Sequence, residues 1–185
     1  MRSGILLALL LAALGARAAE PEVPGWKDYQ AGRLAAARIA FWQAAQNGDR
    51  VAAFDLAMMD WKGEAGAADK PRAVFWLKRS AELGLDRAQH ALGLLAERGD
   101  GLPKSLTEAT RWFSLAARQG YLPAQLDLGT QYFLGRGAPQ DDRLAAYWYE
   151  EAAKQGDVGA RAKALDLARR ETARRAQSAS SGSFR

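Results

Sequence analysis

The chain contains no cysteine and a single histidine among 185 residues. The first absence excludes a disulfide framework, a thiol nucleophile and a cysteine-based metal centre. The second leaves His90 as the one imidazole that can act as a general base. No Ser-x-x-Lys stretch occurs either, so the serine nucleophile with a lysine partner is missing too. Long apolar runs are scarce. The longest, Ile5 to Leu14, is ten residues, about half of what a bilayer-spanning helix needs. It follows Met1-Arg2 and precedes the small-x-small triplet Ala16-Arg17-Ala18, and these three features in that order make a secretory signal peptide. Cleavage after Ala18 is expected. The mature chain is then periplasmic or secreted, with no integral membrane segment.

A strong charge of one sign is also lacking. The formal charge of +5 includes Arg2 and Arg17, which leaves +3 on the mature chain. Residues 161–185 alone hold seven basic side chains against Asp166 and Glu171, a local +5, so the preceding body is slightly acidic. A nucleic-acid-binding body is excluded by that distribution, since a basic face belongs to the fold itself. The basic end reads as a solvated helical terminus, with a membrane-surface or partner anchor as the alternative.

What the sequence does have is a period. Gly48, Gly84, Gly120 and Gly156 stand 36 residues apart, as do Trp76, Trp112 and Trp148, with Ala40 in their column in the first unit. The columns Ala37, Ala73, Ala109, Ala145 and Ala45, Ala81, Ala117, Ala153 keep the same step, as do Ala52, Ala88, Ala124 and Ala160. So many columns in phase mark an internal repeat. Each unit reads as two helices. Ala124, Leu128 and Tyr132 fall on one stripe of a first helix, and Ala145, Trp148 and Ala152 on one stripe of a second. Gly156 follows the last turn, where a left-handed residue closes a helix. Small residues on the stripes let helix axes approach, and the tryptophan is expected to fill the space left. The fold class is therefore all-α, an α-α superhelix of antiparallel pairs stacked into a solenoid.

The pattern A-x-x-x-L-G-x-x-Y-x-x-G-x-G, then D-x-x-x-A-x-x-W-Y-x-x-A-A-x-x-G, resembles the Sel1-like repeat, a relative of the tetratricopeptide repeat. Residues 124–159 carry it almost completely, and residues 88–123 carry it with Ala96 at the tyrosine position. Residues 51–87 depart further, with Ala57, Asp60 and Ala65 where the pattern has Gly, Tyr and its last Gly. Residues 26–50 resemble a tetratricopeptide pair with a shorter loop, residues 160–176 a capping helix, and residues 177–185 a disordered tail, after the signal peptide at 1–18.

The repeat also resolves the stretches that look like chemistry. Gly135 and Gly137 suggest a phosphate loop, but Gly135 stands in column with Gly63 and Gly99, and Gly137 with Gly101. A phosphate loop occurs once, between a strand and a helix. Asp141 stands in column with Asp69 and Ser105 at the start of each second helix, the place for an N-cap, and Ser105 with Glu108 has capping-box spacing. No catalytic residue, cofactor or metal is assigned. Some cysteine-rich members of the family are associated with β-lactamase or penicillin-binding activity, and without cysteine or a serine motif that activity is not carried over. The resemblance implies instead a groove lined by the first helix of each pair. Its variable positions are Phe54, Met58, Trp61 and Lys62, then His90, Leu94, Glu97 and Arg98, then Leu126, Thr130 and Phe133. The other reading of Trp61 and Phe133 is packing between repeats. The expected function is a monomeric scaffold or adaptor of the bacterial envelope that binds a protein or peptide there, and no nucleic acid. The alternatives are a periplasmic immunity protein against a toxic effector and a β-lactam or cell-wall hydrolase.

Overall fold

A computed structural model describes residues 23–182, with side chains to residue 178. The expected signal peptide and its cleavage bond lie outside the described residues. Among the described residues every regular element is an α-helix: α1 (Trp26–Gln30), α2 (Leu34–Gln46), α3 (Arg50–Lys62), α4 (Lys70–Glu82), α5 (Asp86–Arg98), α6 (Leu106–Arg118), α7 (Leu122–Leu134), α8 (Asp142–Lys154) and α9 (Val158–Gly182). The all-α class is as expected. None of these helices is long and apolar enough to cross a membrane.

The chain divides into two compact units between Ser105 and Leu106. In the first, α3 packs on α2 and α4, and α4 packs on α5; in the second, α7 packs on α6 and α8, and α8 packs on α9. The helices of the pairs, α2 to α8, are each 13 residues long, because the same stop and start signals recur. At the stop after α2, α4, α6 and α8, Gly48, Gly84, Gly120 and Gly156 take φ between 85° and 96°. Each donates its N–H three residues back, and the following residue donates five residues back, as with Gly84 to Ala81 and Leu85 to Ser80. This double bond pattern satisfies two carbonyls that a helix end would leave open. At the starts, Asp49, Asp69 and Asp141 each accept from backbone N–H groups of the first turn at 2.8–3.0 Å. The capping role expected of Asp69 and Asp141 is thus present. At the start of α6, Ser105 gives its N–H to the Ala96 carbonyl, and Glu108 pairs with Arg111 at 2.8 Å.

The connections inside each repeat share one closure. The N–H groups of Asp69, Ser105 and Asp141 donate to the carbonyls of Asp60, Ala96 and Tyr132 at 2.9, 2.8 and 3.0 Å. Gly101 and Gly137 sit within two of these loops at φ 75° and 74°. Their columnar counterpart Ala65 holds φ 61° with a side chain in place, in the left-handed region that costs an L-residue roughly 1–2 kcal/mol. Ala65→Gly is therefore expected to stabilise the first unit by about 0.5–1 kcal/mol after glycine's extra chain entropy is subtracted. Urea unfolding followed by circular dichroism measures it, and a lower midpoint would contradict it.

The core follows a column one residue beyond the tryptophans. Phe41, Leu77, Phe113 and Tyr149 are at most 2% exposed. Trp76 and Trp148 are nearly buried at 9%, while Trp112 is only half-buried and carries the Arg111 guanidinium over its ring at 4.3 Å. A step of one residue turns a side chain by about 100° around the helix, so when one column points into the core its neighbour lies on the flank. The tryptophan column seals the flank, and its successor fills the centre.

In the second unit α9 closes the stack by burying Ala160, Ala164 and Leu167 against Ala145, Tyr149 and Ala152. Ion pairs from Arg143 to Glu171 and from Arg174 to Asp142, both at 2.8 Å, tie it to α8. The hydrogen bonds from Arg143 and Arg175 hold the Glu171 carboxyl below its ordinary pKa. The helix runs to Gly182, past the Ala176 boundary set by composition. Its Ala, Gln and Ser residues contain no helix breaker before that glycine.

Candidate binding surface

In the first unit the groove positions divide sharply by exposure. Phe54 and Met58 on α3 are 1% and 2% exposed, and His90 and Leu94 on α5 are 6% each. These four therefore offer no open surface in this structure, contrary to their expected exposure. The reason is that α3 is buried all round from Val51 to Asp60. A helix enclosed on every side has no polar face, so a four-residue step cannot distinguish a groove stripe from a packing stripe. The Arg87 guanidinium covers the Phe54 ring at 5.1 Å.

Trp61 and Lys62 end α3 and are half-buried. Trp61 lies between the Lys70 ammonium, 4.9 Å from its ring, and Gly101, where an added Cβ would come within 3.5 Å of the indole. Packing between repeats is the role its contacts describe. Lys62 pairs with Glu64 at 3.1 Å, and the same carboxylate accepts from the Tyr29 hydroxyl at 3.3 Å. Burial and then the Glu64 carboxylate push the Tyr29 phenol up to about 12, so it stays a donor throughout the neutral range. Glu97 is half-buried and Arg98 exposed at the end of α5.

In the second unit Leu126, Thr130 and Phe133 keep partial exposure on α7. Steps of four and three residues put them on one helix face. Leu126 and Phe133 pack with their inner edges on the cluster around Tyr149. The Thr130 hydroxyl donates to the Leu126 carbonyl at 2.9 Å and meets the Tyr149 hydroxyl at 3.0 Å, which fixes the middle of the face. The outer edges of three anchored side chains remain for a ligand.

His90 is buried, the Asp141 carboxylate is turned to its own helix start, and no cluster of three or more potential metal ligands occurs among the described residues.

A second surface was missed by the repeat pattern. Asp60, only 1% exposed, holds two guanidinium groups: Arg72 at 2.6 and 2.8 Å, and Arg38 at 3.2 and 3.3 Å. The hydrogen bond to Asp60 raises the Arg72 pKa above its ordinary value. Beside them Ile39, Trp42 and Phe75 stand 58%, 44% and 61% exposed. With Trp76 and the two arginines they line a cavity of about 430 Å³ between α2 and α4. The signal was present as a departure, since an acid at position 60 replaces the tyrosine of the repeat and a buried acid needs a basic partner.

Three stretches of the chain, residues 50–85, 86–121 and 122–157, match the Sel1 repeat. The chain is similar to the crystal structure of a Sel1 repeat protein from Oxalobacter formigenes, at 36% identity over 69% of this chain and 96% of that one, with a TM-score of 0.66. It is similar also to c5321, a protective antigen present in uropathogenic Escherichia coli strains that displays an SLR fold. That identity is 28% over 90% of this chain and 34% of the antigen, with a TM-score of 0.70. Helicobacter pylori cysteine rich protein B shares the fold at 21% identity over 69% of this chain and 92% of that one, with a TM-score of 0.55. No curated protein matches the sequence.

Proposed function

Because the chain belongs to the Sel1 repeat family, whose members generally serve as protein-interaction scaffolds, we propose that it is an exported adaptor of the bacterial cell envelope that holds a protein or peptide on α7. The observation that carries this reading is the face of Leu126, Thr130 and Phe133. Each residue is locked from beneath by Tyr149 or its cluster while its outer edge stays open. Anchored apolar side chains lose little entropy on binding, which is how a small patch gains affinity. Export rests on the order of charges, apolar run and small residues in the first 18 positions.

The face is tested with Phe133→Lys. Capture of the partner from periplasmic extract is expected to fall about tenfold or more, the loss of one apolar anchor. Undiminished capture by a variant with wild-type circular dichroism would reject the α7 face. Export is tested separately by intact mass of the protein in the periplasmic fraction, which is expected to begin at Ala19. A chain that retains Met1 would reject it.

A further inference from the structure

We propose that the first unit carries a second binding surface, the cleft between α2 and α4, which takes an acidic peptide segment bearing a large apolar side chain. The cleft has the volume of a pocket for one or two side chains, and its walls are Ile39, Trp42, Phe75 and Trp76. Three of these are more than two-fifths exposed, a cluster of apolar area left in water on one pair of helices.

The charge around the cleft selects the ligand. Helices α2 and α4 together carry Arg38, Lys70, Arg72, Lys78 and Arg79 against Glu82 alone, a net +4. The corresponding helices of the second unit, α6 and α8, balance four basic against four acidic residues. Some of the excess is spent within the unit: Asp60 holds Arg38 and Arg72, Asp69 touches Arg72 at 3.2 Å, and Asp100 pairs with Lys70 at 2.7 Å. What remains is placed around Phe75. Lys78 and Arg79 are exposed one turn beyond it on the same helix face, and α2 contains no acid at all.

Arg38 supplies the specific contact. Its Nε and Nη2 are committed to Asp60, which fixes the plane of the guanidinium, and neither hydrogen bond involves Nη1. A buried carboxylate therefore holds a guanidinium in a fixed plane in the lining of an apolar cavity, the arrangement that recognises a carboxylate beside an apolar group. An anionic membrane surface would suit the charge but would leave the cleft, recessed between two helices, unfilled. The peptide fills it.

The test uses the full mature chain and fluorescein-labelled hexapeptides, Glu-Glu-Leu-Phe-Glu-Glu and its counterpart with glutamine in place of every glutamate, read by anisotropy at low salt. The acidic peptide is expected to bind about tenfold more tightly than the neutral one, and to weaken as salt rises. Phe75→Asp, a change at an exposed site that leaves the circular dichroism as it was, is expected to abolish binding. Arg38→Gln is expected to reduce it about fivefold, the share of one charge-assisted hydrogen bond. Phe133→Lys is expected to leave it unchanged, which separates this surface from the α7 face. Equal affinity for the two peptides, no binding of the acidic one, or wild-type binding by Phe75→Asp would overturn the proposal. So would binding confined to phosphatidylglycerol vesicles, or a dimer in sedimentation that Phe75→Asp dissociates.

Discussion

Phe113→Ala is expected to lower the unfolding free energy of the second unit by about 3–5 kcal/mol, the usual cost of emptying a fully buried aromatic site. Trp112→Ala, one residue away, is expected to cost only about 1–2 kcal/mol, since it gives up a partly exposed ring and one cation–π contact. The repeat pattern alone argues the reverse, because tryptophan is the marked residue of its column. The structure decides between them: Phe113 is 0% exposed, while Trp112 is half-buried under Arg111. Urea titration followed by far-ultraviolet circular dichroism gives both values. A Trp112 variant that loses more stability than the Phe113 variant would mean that the flank column holds the core.

Gly137→Ala is expected to be comparably damaging, at about 3 kcal/mol or more. An added Cβ at Gly137 would lie 2.2 Å from the Leu106 carbonyl oxygen and 2.5 Å from the Thr110 hydroxyl, and the residue sits at φ 74°. The strain of the left-handed region contributes about 1–2 kcal/mol and the overpacking about 1–3 kcal/mol. The Leu106 and Arg136 carbonyls both accept from the Thr110 hydroxyl at this point, so the clash also disturbs two hydrogen bonds. Gly120→Ala is the control. Its φ is 86°, but nothing lies within 4 Å of the added Cβ, so about 1 kcal/mol of backbone strain is all it should lose. Equal losses in the two variants would show that space at Gly137 is immaterial.

The period of 36 made much of this architecture legible. It marked the helix pairs, the glycine stops and the aspartate caps, because these are local rules that repeat wherever the same residue returns. It also showed that Gly135, Gly137 and Asp141 are structural, since neighbouring units use the same positions. The period could not say which side of a helix meets water. Phe54 and Leu126 share one column, yet the first is buried on α3, which is enclosed on all sides, and the second is half-exposed on α7. Burial depends on what packs against the far side of a helix, and repeat spacing carries no information about that. Trp61 shows the same limit: its contacts are with Lys70 at the start of α4 and with Gly101 of the following repeat, neighbours that a spacing along the chain does not reveal. The Asp60 centre was hidden for another reason. A substitution away from a repeat reads as degeneracy until its partners are seen, and Arg38 and Arg72 lie 22 and 12 residues away in sequence.

The closure that joins Asp69 to Asp60, Ser105 to Ala96 and Asp141 to Tyr132 ties residues only nine apart. Longer ties such as Tyr29 to Glu64 and Gln155 to Gly120 still reach no more than 35 residues, about one repeat. Contacts of such short range demand little loop-closure entropy at any step, which places the chain among proteins whose folding is quick and can start in any pair of helices. The same locality makes the molecule extensible. A gene duplication that inserts one more 36-residue unit leaves every existing loop bonded to itself, so length can change in evolution without a redesign of the parts already there.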